Sequence, residues 1–312
     1  MQHYLRLIRP GEWIKNIIVL AGPAFSLHLT DPRALFAFVA FCFAASAVYV
    51  INDLADRDAD RAHPAKRNRP IASGAVSATE AIILAFVMFG AALAIAFTFI
   101  PPRATLTLIG YFVLIMAYTF TLKRRPILDV IVIAIGFVLR AVAGAAAVEV
   151  RVSPWLIACT FTLCMFLGFG KRRCELATLA GEEDLGTHRA TLRRYTPQLL
   201  NQLTSVSAGI AIMTFLLYTM DAGPTELHPP FRKEYLLYTL PLVAYGLFRY
   251  TMLIETGRFS GPSQIVAEDR GLLLTGLLWI AVVGVILVTT HAPEAATPAQ
   301  ATPAANTAGS GP

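Results

Sequence analysis

Oxygen-bearing side chains crowd into residues 52–60, whose sequence reads Asn-Asp-Leu-Ala-Asp-Arg-Asp-Ala-Asp. In a helix, at about 100° per residue, Asn52, Asp56 and Asp60 lie within roughly 80° of one another. Carboxylates at this spacing repel one another and weaken a helix unless a cation neutralises them. A small number of hard oxygen ligands suits Mg²⁺. The ion keeps some of its waters, and substrate phosphates occupy its other coordination positions. The predicted metal ligands are therefore Asn52, Asp56 and Asp60, and the adjacent Asp53 is predicted to bind substrate.

Basic residues follow the acidic segment directly. Residues 61–74 read Arg-Ala-His-Pro-Ala-Lys-Arg-Asn-Arg-Pro-Ile-Ala-Ser-Gly. A site for a metal–diphosphate pair requires acidic groups that bind the metal and neighbouring basic groups that bind the phosphate oxygens. We predict that Lys66, Arg67 and Arg69 bind substrate phosphate. Two other interpretations stay open: the acids form a solvated helix end balanced by neighbouring arginines, or the bases only signal membrane topology.

Further polar clusters offer groups that could bind phosphate. Lys15 lies near Trp13, and these two residues could equally anchor the chain at a membrane interface. The sequence Tyr-Thr-Phe-Thr-Leu-Lys starts at residue 118, and Gly-Lys-Arg-Arg starts at residue 170. A polar loop before residue 195 adds Arg189, for which an ordinary solvated loop is an equal alternative. From these clusters, the predicted substrate-binding residues are Lys15, Tyr118, Lys123, Lys171, Arg172, Arg173 and Arg189.

Asp129 and Arg140 belong to one apolar segment and are predicted to share a helix face. Eleven positions separate them, which is about 20° of rotation and roughly 16 Å along a helix axis. An arginine this deep in an apolar segment is costly and usually faces a water-filled cavity or a partner. We predict that Arg140 lines a substrate cavity, with a purely structural interhelical pair as the alternative. The predicted catalytic residues are Asp56, Asp60, Lys123 and Asp129.

Apolar segments must position these residues. Of the 312 residues, 56% are hydrophobic and 15% are charged, whereas soluble domains are about a quarter charged. The apolar residues form continuous runs of roughly the 20 residues that cross a bilayer, and continuous runs exclude an outer-membrane barrel. The predicted fold is therefore an all-α, polytopic membrane protein with nine transmembrane helices. The predicted spans are 14–30, 34–52, 78–100, 103–122, 127–148, 153–170, 201–220, 235–254 and 271–290.

Charge placement predicts the orientation of the chain. Most of the 26 Lys and Arg residues precede the first span or follow an even-numbered one. The positive-inside rule then predicts a cytoplasmic N-terminus, an external C-terminus and polar clusters that face the cytoplasm from the plasma membrane. Topology accounts for the net charge of +6, and the loops lack base-stacking aromatics, so nucleic-acid binding is not predicted. Residues 1–290 are predicted to form one integral-membrane domain, and residues 291–312, rich in Ala, Thr and Pro, a disordered tail.

The acidic motif resembles that of the UbiA superfamily of intramembrane prenyltransferases. The resemblance rests on Asn-Asp-x-x-Asp-x-x-x-Asp at the end of the second span, on the basic loop that ends Arg-Pro-Ile-Ala-Ser-Gly, and on the nine-span topology. It covers roughly residues 5–290. It implies a helical bundle around a central cavity that opens sideways to lipid, capped by cytoplasmic loops that hold Mg²⁺ and a diphosphate.

The second half departs from the usual pattern of that superfamily. Ordinary members carry a second motif, Asp-x-x-x-Asp, after the sixth span, but here that loop begins Lys-Arg-Arg-Cys-Glu at residue 171. Cations in place of carboxylates indicate a second anionic group on the substrate rather than a second metal. Together with Tyr118, Lys123 and the segment from Asp129 to Arg140, this pattern resembles the branch that joins phosphoribosyl pyrophosphate to a polyprenyl phosphate such as decaprenyl phosphate.

That resemblance implies transfer of 5-phosphoribosyl, release of pyrophosphate, and a lipid product that feeds arabinan synthesis in a cell wall. Two alternatives stay open. A conventional prenyltransferase would use the same first motif to move an isoprenoid from its diphosphate to an aromatic or other small acceptor. A lipid transporter or lipid-binding protein would use the charged cavity without chemistry; paired broken spans would favour transport, and only the first span is interrupted, by Pro23.

Overall fold

The chain folds into a bundle of helices. The computed structural model describes residues 2–62, 66–179, 191–221, 231–259 and 261–290, and every regular element in these ranges is helical. The α-helices are α1 (Gln2–Ile8), α2 (Ala21–Phe25), α3 (Pro32–Ala55), α4 (Arg57–Ala62), α5 (Ala78–Phe99), α6 (Pro102–Phe120), α7 (Leu128–Ala147), α8 (Pro154–Leu179), α9 (Pro197–Met220), α10 (Leu240–Glu255), α11 (Pro262–Glu268) and α12 (Arg270–Thr289). The 3₁₀ helices are Pro10–Leu20, Leu122–Arg124, Leu192–Arg194 and Lys233–Thr239.

Within the described residues, eight helical segments are long and apolar enough to cross a membrane. Seven are single α-helices, namely α3, α5, α6, α7, α8, α9 and α12. The eighth, Lys233–Glu255, joins a 3₁₀ helix to α10. Each of the last eight predicted spans matches one of these segments, which confirms an all-α membrane protein. The predicted tail, 291–312, lies outside the described residues.

The count of nine α-helical spans is not confirmed, because the first predicted span, 14–30, is not one α-helix. Residues 14–25 divide between the 3₁₀ helix Pro10–Leu20 and the five-residue α2, and residues 26–30 lie outside any helix. Pro23, which lacks a backbone N–H, lies within α2 and prevents a regular ladder of hydrogen bonds there. Since a 3₁₀ helix rises about 2 Å per residue, the two pieces still reach about 30 Å, close to the thickness of a bilayer core.

Small side chains bring the central helices close together. α3 is lined by alanines that are fully or almost fully buried, and it packs against α5, α6 and α7. Such small residues allow close helix contact in membranes, where the hydrophobic effect contributes little to association. The second half of the bundle is built by α8, α9 and α10 around residues such as Phe166 and Tyr250. The carboxyl ends of α3, α6 and α8 lead into the polar segments that the sequence singled out.

A capping box fixes the end of the basic loop that follows the acidic motif. The Ser77 hydroxyl accepts the backbone N–H of Glu80, whose side chain in turn accepts the backbone N–H of Ser77. This arrangement satisfies two of the free N–H groups at the start of α5. The loop of residues 66–76 therefore returns to the bundle at a defined point beside α3.

Gly144 is where the 3₁₀ helix Pro10–Leu20 touches α7. A Cβ at Gly144 would lie 1.6 Å from the carbonyl oxygen of Val19, so the backbones must separate. We expect Gly144→Ala to cost at least about 2 kcal/mol of stability, because overpacked cores relax only by moving backbone. Thermal unfolding in detergent should show a midpoint lowered by several degrees. Gly110→Ala on the exposed side of α6 is the control, since a Cβ there meets nothing within 4 Å; equal effects of the two variants would contradict this packing.

Candidate active site

Polar groups from distant parts of the chain meet at one end of the bundle around Asp53. Arg9 precedes the first 3₁₀ helix, Asp53 lies in the last turn of α3, and Arg69 lies in the basic loop. Arg9 Nη2 donates to both carboxylate oxygens of Asp53, at 2.6 and 2.8 Å, and Arg69 Nη1 donates to Oδ1 at 3.0 Å. Asp53 is only 3% exposed. Two arginines, one before the first 3₁₀ helix and one in the basic loop, therefore neutralise this buried carboxylate.

Asp60 shares one of these arginines with Asp53. Arg69 Nη1 lies 2.7 Å from Asp60 Oδ2, and Asp60 is 4% exposed. Arg61 adds a second connection, because its Nε donates to the carbonyl of Ala72 at 2.9 Å. The basic loop is thus held directly against the acidic motif, as a combined site for a metal and phosphate requires.

The face shared by Asn52, Asp56 and Asp60 continues across a break between two helices. α3 ends before Asp56 and α4 begins after it. Even so, the N–H of Asp56 donates to the carbonyl of Asn52 at 2.9 Å, and the N–H of Asp60 donates to that of Asp56 at 2.8 Å. These hydrogen bonds keep the three residues one turn apart.

Asp56 pairs with Lys123. The 3₁₀ turn Leu122–Arg124 follows α6 and carries Lys123 to the end of α3. Lys123 Nζ lies 2.5 Å from Asp56 Oδ1, and the lysine side chain is 15% exposed. A charge-assisted bond of this kind is among the stronger ones in proteins. Two residues predicted to be catalytic are therefore in direct contact.

The oxygen donors of this cluster fit a magnesium ion that arrives with a phosphate group. Across the described ranges, no group of three or more His, Cys, Asp and Glu residues is gathered as for a bound metal. Instead, the carboxylates of Asp56 and Asp60 bind Lys123 and Arg69. A metal can take over the two acids and the Asn52 amide while the cations turn to phosphate oxygens. The assignment of Asn52, Asp56 and Asp60 as metal ligands stays a prediction, and their oxygen donors are of the kind that Mg²⁺ binds.

Asp129 lies in a buried network of its own. It is 2% exposed, and its two carboxylate oxygens accept hydrogen bonds from Arg172 Nε and from the Tyr195 hydroxyl, both at 2.8 Å. Arg172 is 6% exposed and also donates to Glu175 Oε2 at 2.5 Å. Both predicted site residues therefore have protein partners. This geometry favours a positioning role for Asp129, and its catalytic role stays a prediction.

Lys171 and Arg173, the other two residues of the basic run, have different surroundings. Arg173 Nε donates to Asn201 Oδ1 at 2.8 Å, and its Nη2 lies 3.2 Å from Glu255 Oε2. The Lys171 side chain is half-exposed and lies 3.9 Å from Glu175 Oε1. Of the three cations in this run, Lys171 is the one most accessible to a ligand.

Arg140 is buried in the middle of the bundle but does not pair with Asp129. Its Nε donates to Asn16 Oδ1 at 2.8 Å and its Nη2 to the Tyr111 hydroxyl at 2.7 Å. The guanidinium also lies over the rings of Tyr111 and Phe137, at 4.4 and 4.8 Å from their centroids. These contacts join α7 to the first 3₁₀ helix and to α6, as the alternative of a structural interhelical pair expects. The cavity-lining role of Arg140 stays a prediction.

Lys15 pairs with the carboxylate of Glu12, three residues earlier, at the start of the first 3₁₀ helix. Burial alone would raise the pKa of Glu12, but the hydrogen bond from Lys15 and the charges of Lys15, Arg9 and Lys171 lower it overall.

The remaining predicted residues have varied surroundings. Tyr118 is buried at the end of α6, Lys66 is half-buried, and Arg67 is exposed. Arg189 lies outside the described residues. Sequence reasoning missed Arg9 as a partner of Asp53. The available signal was its positive charge close before Trp13 and Lys15.

Comparison with known proteins shows the family to which this chain belongs. The model of the UbiA prenyltransferase family matches residues 17–265. The chain belongs to this family. The solved structure of a UbiA homolog from Archaeoglobus fulgidus bound to GPP and Mg²⁺ superimposes with a TM-score of 0.68 and 21% identity, covering 92% of this chain and 99% of that one. This likeness shows that the fold is that of UbiA proteins.

Two curated UbiA relatives match over nearly their whole length. The decaprenyl-phosphate phosphoribosyltransferase of Corynebacterium glutamicum is 31% identical over 285 residues, which cover 88% of this chain and 84% of the relative. The protein of the same name from Mycolicibacterium smegmatis is 31% identical over 291 residues, covering 90% of this chain and 91% of the relative. The resemblance drawn from the sequence is confirmed at the level of the family and of these relatives.

Proposed function

We propose that this UbiA protein transfers 5-phosphoribosyl from phosphoribosyl pyrophosphate to a polyprenyl phosphate and releases pyrophosphate. The observation that carries the proposal is the 31% identity over 90% of the chain to a relative named decaprenyl-phosphate phosphoribosyltransferase. Basic residues at 171–173, where prenyl-transferring members carry aspartates, support it further. The product lipid is proposed to supply arabinan synthesis in a cell wall.

The charges of the two substrates match the distribution of cations at the site. The donor carries a 5-phosphate and a 1-pyrophosphate, and the acceptor carries its own phosphate. Arg9, Arg69 and Lys123 lie around the acidic motif, and Lys171 is half-exposed in α8. Each charge-assisted contact with phosphate can contribute about 1.5–3 kcal/mol. Several separate anionic groups can therefore be held at once.

The proposed metal ligands are Asn52, Asp56 and Asp60. When bound, Mg²⁺ supplies positive charge that stabilises the departing pyrophosphate. Lys123 and Arg69 then donate to its oxygens and oppose the same growing charge, because fixed donors of this kind need no reorganisation during the reaction. Asp53 keeps Arg9 and Arg69 beside the site.

The transfer itself needs no dedicated base. An acceptor phosphate oxygen is already ionised near neutral pH, so it attacks C1 of the ribose directly. The bond between that oxygen and C1 forms while the bond from C1 to pyrophosphate breaks, and its electron pair leaves with pyrophosphate. Displacement inverts the configuration at C1, which gains oxocarbenium character as in other glycosyl transfers.

We place the site at the cytoplasmic membrane surface, since most positive charge lies on the side of the acidic motif. A soluble, highly charged donor then enters from the water. The polyprenyl chain remains in the bilayer, in contact with outward-facing apolar side chains such as Phe86 and Leu106, which are 74% and 70% exposed.

A single assay tests the proposal against its alternatives. Purified protein receives Mg²⁺, phosphoribosyl pyrophosphate labelled in the ribose, and decaprenyl phosphate in detergent. Label in the organic phase and equimolar pyrophosphate are expected. Transfer only from an isoprenyl diphosphate to a small aromatic acceptor would instead identify a conventional prenyltransferase. No covalent product from either donor would indicate a transporter or a lipid-binding protein.

Lys171 provides a further prediction about substrate binding. We expect Lys171→Ala to raise KM for a phosphate-bearing substrate roughly 5- to 10-fold with stability unchanged, because one half-exposed cation is lost. Steady-state kinetics with each substrate varied separately measure this. Arg103→Ala is the control, because Arg103 is exposed at the opposite end of α6. Reduced expression with unaltered KM would make Lys171 a topology signal only.

A further inference from the structure

The loop that carries Lys123 is bonded to the segment before α9. Residues 121–127 connect α6 to α7, and residues 191–196 lead into α9. The Thr191 hydroxyl donates to the backbone carbonyl of Lys123 at 2.8 Å, and Thr191 is 4% exposed. A buried side chain therefore fixes the backbone at the lysine itself.

Tyr195 fixes the other end of the same loop. Its hydroxyl accepts the N–H of Ile127 at 2.5 Å and donates to Asp129 Oδ1 at 2.8 Å. Ile127 has a φ of 69°, a left-handed conformation that is costly for a β-branched residue and persists only where the surroundings impose it. Burial raises the pKa of the Tyr195 phenol, so the hydroxyl stays protonated and keeps donating to Asp129.

The groups that hold the loop belong to a buried, packed part of the bundle. Tyr195 and Leu192 are each 4% exposed and pack with Val130, Phe169 and Leu200. Asp129 is held in turn by Arg172 of α8. The loop is therefore tied to three transmembrane helices, α7, α8 and α9, through side chains that do not themselves reach the acidic motif.

We propose that Thr191 and Tyr195 are positioning residues that hold Lys123 in contact with Asp56. The two hydroxyls bind the loop on either side of its functional residue, one at the Lys123 carbonyl and one at the Ile127 amide. The positive φ of Ile127 indicates that contacts from outside the loop impose its backbone conformation. The inference rests on the proposed function, because it assigns how Lys123 is held for pyrophosphate departure.

Tyr195→Phe tests the proposal by kinetics. This variant keeps the ring and removes only the hydroxyl, and we expect kcat to fall roughly 10- to 100-fold, because a small displacement of a catalytic group has effects of this size. KM for decaprenyl phosphate should stay within about 2-fold, since an interaction realised mainly in the transition state is weakened. Thr191→Val should act in the same direction. Tyr250→Phe is the matched control, because Tyr250 is 2% exposed and its hydroxyl has no hydrogen-bond partner in the described structure.

A double-mutant cycle separates positioning from general stability. In a Lys123→Met background, Tyr195→Phe should lower kcat by less than about 2-fold, because the effects of residues that act through the same group are not additive. If the two substitutions lowered kcat independently, so that their fold-reductions multiply in the double mutant, the proposal would be overturned. An unchanged kcat in Tyr195→Phe alone would also overturn it. A wild-type protein without transfer activity would refute the proposed function instead.

Chemical labelling provides a readout that does not depend on activity. Lys123 should react slowly with a soluble amine reagent in the wild type and several-fold faster in Tyr195→Phe, as followed by mass spectrometry of the peptide. Lys233 is the internal reference, because it is 7% exposed and lies at the other end of the bundle beside Asp221. Faster labelling of both lysines would indicate loosening of the whole fold and contradict a specific role. Equal Lys123 labelling in the variant and the wild type would contradict it too.

Discussion

An Asp60→Asn variant is expected to lose at least about 10³-fold in Mg²⁺-dependent turnover while still inserting into the membrane. This loss corresponds to roughly 4 kcal/mol of transition-state stabilisation, in the range that a metal supplies. Asparagine keeps the shape of the side chain but removes the charge that would hold the ion. Rates measured over a Mg²⁺ titration should not recover at high concentration.

Asp58→Asn is the matched control for this prediction. Asp58 lies in the same short helix, α4, but its side chain is 79% exposed and pairs only loosely with Arg57 and Arg61. Exposed pairs of this kind contribute about 0–1 kcal/mol. The fold should also survive the Asp60 change, because Arg69 keeps Asp53 as a partner. Full turnover in Asp60→Asn would remove this residue from the metal site.

The positions of the acids relative to one another could be predicted from sequence because they depend on local geometry. Asn52, Asp56 and Asp60 follow the period of a helix, and the backbone hydrogen bonds of the structure have that spacing even where α3 gives way to α4. The apolar runs were equally informative, since length and composition alone define most spans. The segment 14–30 is the exception, because hydropathy does not distinguish a 3₁₀ helix from an α-helix.

Pairing between distant side chains could not be predicted in this way. Asp129 and Arg140 were predicted to share a helix face, but that gives no indication that the partners of Asp129 are Arg172 and Tyr195, 43 and 66 residues away. Such partners are set by how α7, α8 and α9 pack, and a single sequence holds no signal for that. The same limit hid Asn16 and Tyr111 as partners of Arg140.

The network of acids and bases also explains how so much charge is tolerated at the membrane surface. A buried carboxylate without a partner is strongly destabilising, but Asp53, Asp56 and Asp60 each contact a cation in the absence of substrate. In the proposed mechanism, phosphate and metal replace the contacts of Asp56 with Lys123 and of Asp60 with Arg69, and Asp53 keeps its arginines. The site can therefore exchange ion pairs on binding rather than create uncompensated charge.

Arg69→Met is expected to impair both the fold and the reaction, because one nitrogen of this arginine serves two buried acids. Arg69 Nη1 lies 3.0 Å from Asp53 and 2.7 Å from Asp60. Asp53 retains Arg9, but Asp60 loses its cation, and a buried charge left alone costs up to about 3–5 kcal/mol. We expect a clearly lower unfolding midpoint in detergent and a turnover reduced by at least about 10²-fold, since a phosphate contact is lost as well.

Arg67→Met separates this bridging role from the charge of the basic loop. Arg67 lies two residues earlier and is exposed, so its loss should leave the unfolding midpoint unchanged, as for other exposed charges. Any fall in turnover would reflect only the loss of its predicted phosphate contact. Arg69→Lys should recover only part of the loss, because the lysine side chain is shorter and its ammonium group does not occupy the position of Nη1 between the two carboxylates. If Arg67→Met and Arg69→Met behave alike in both measurements, the bridge is not what holds the acidic motif, and the basic loop acts only through its total charge.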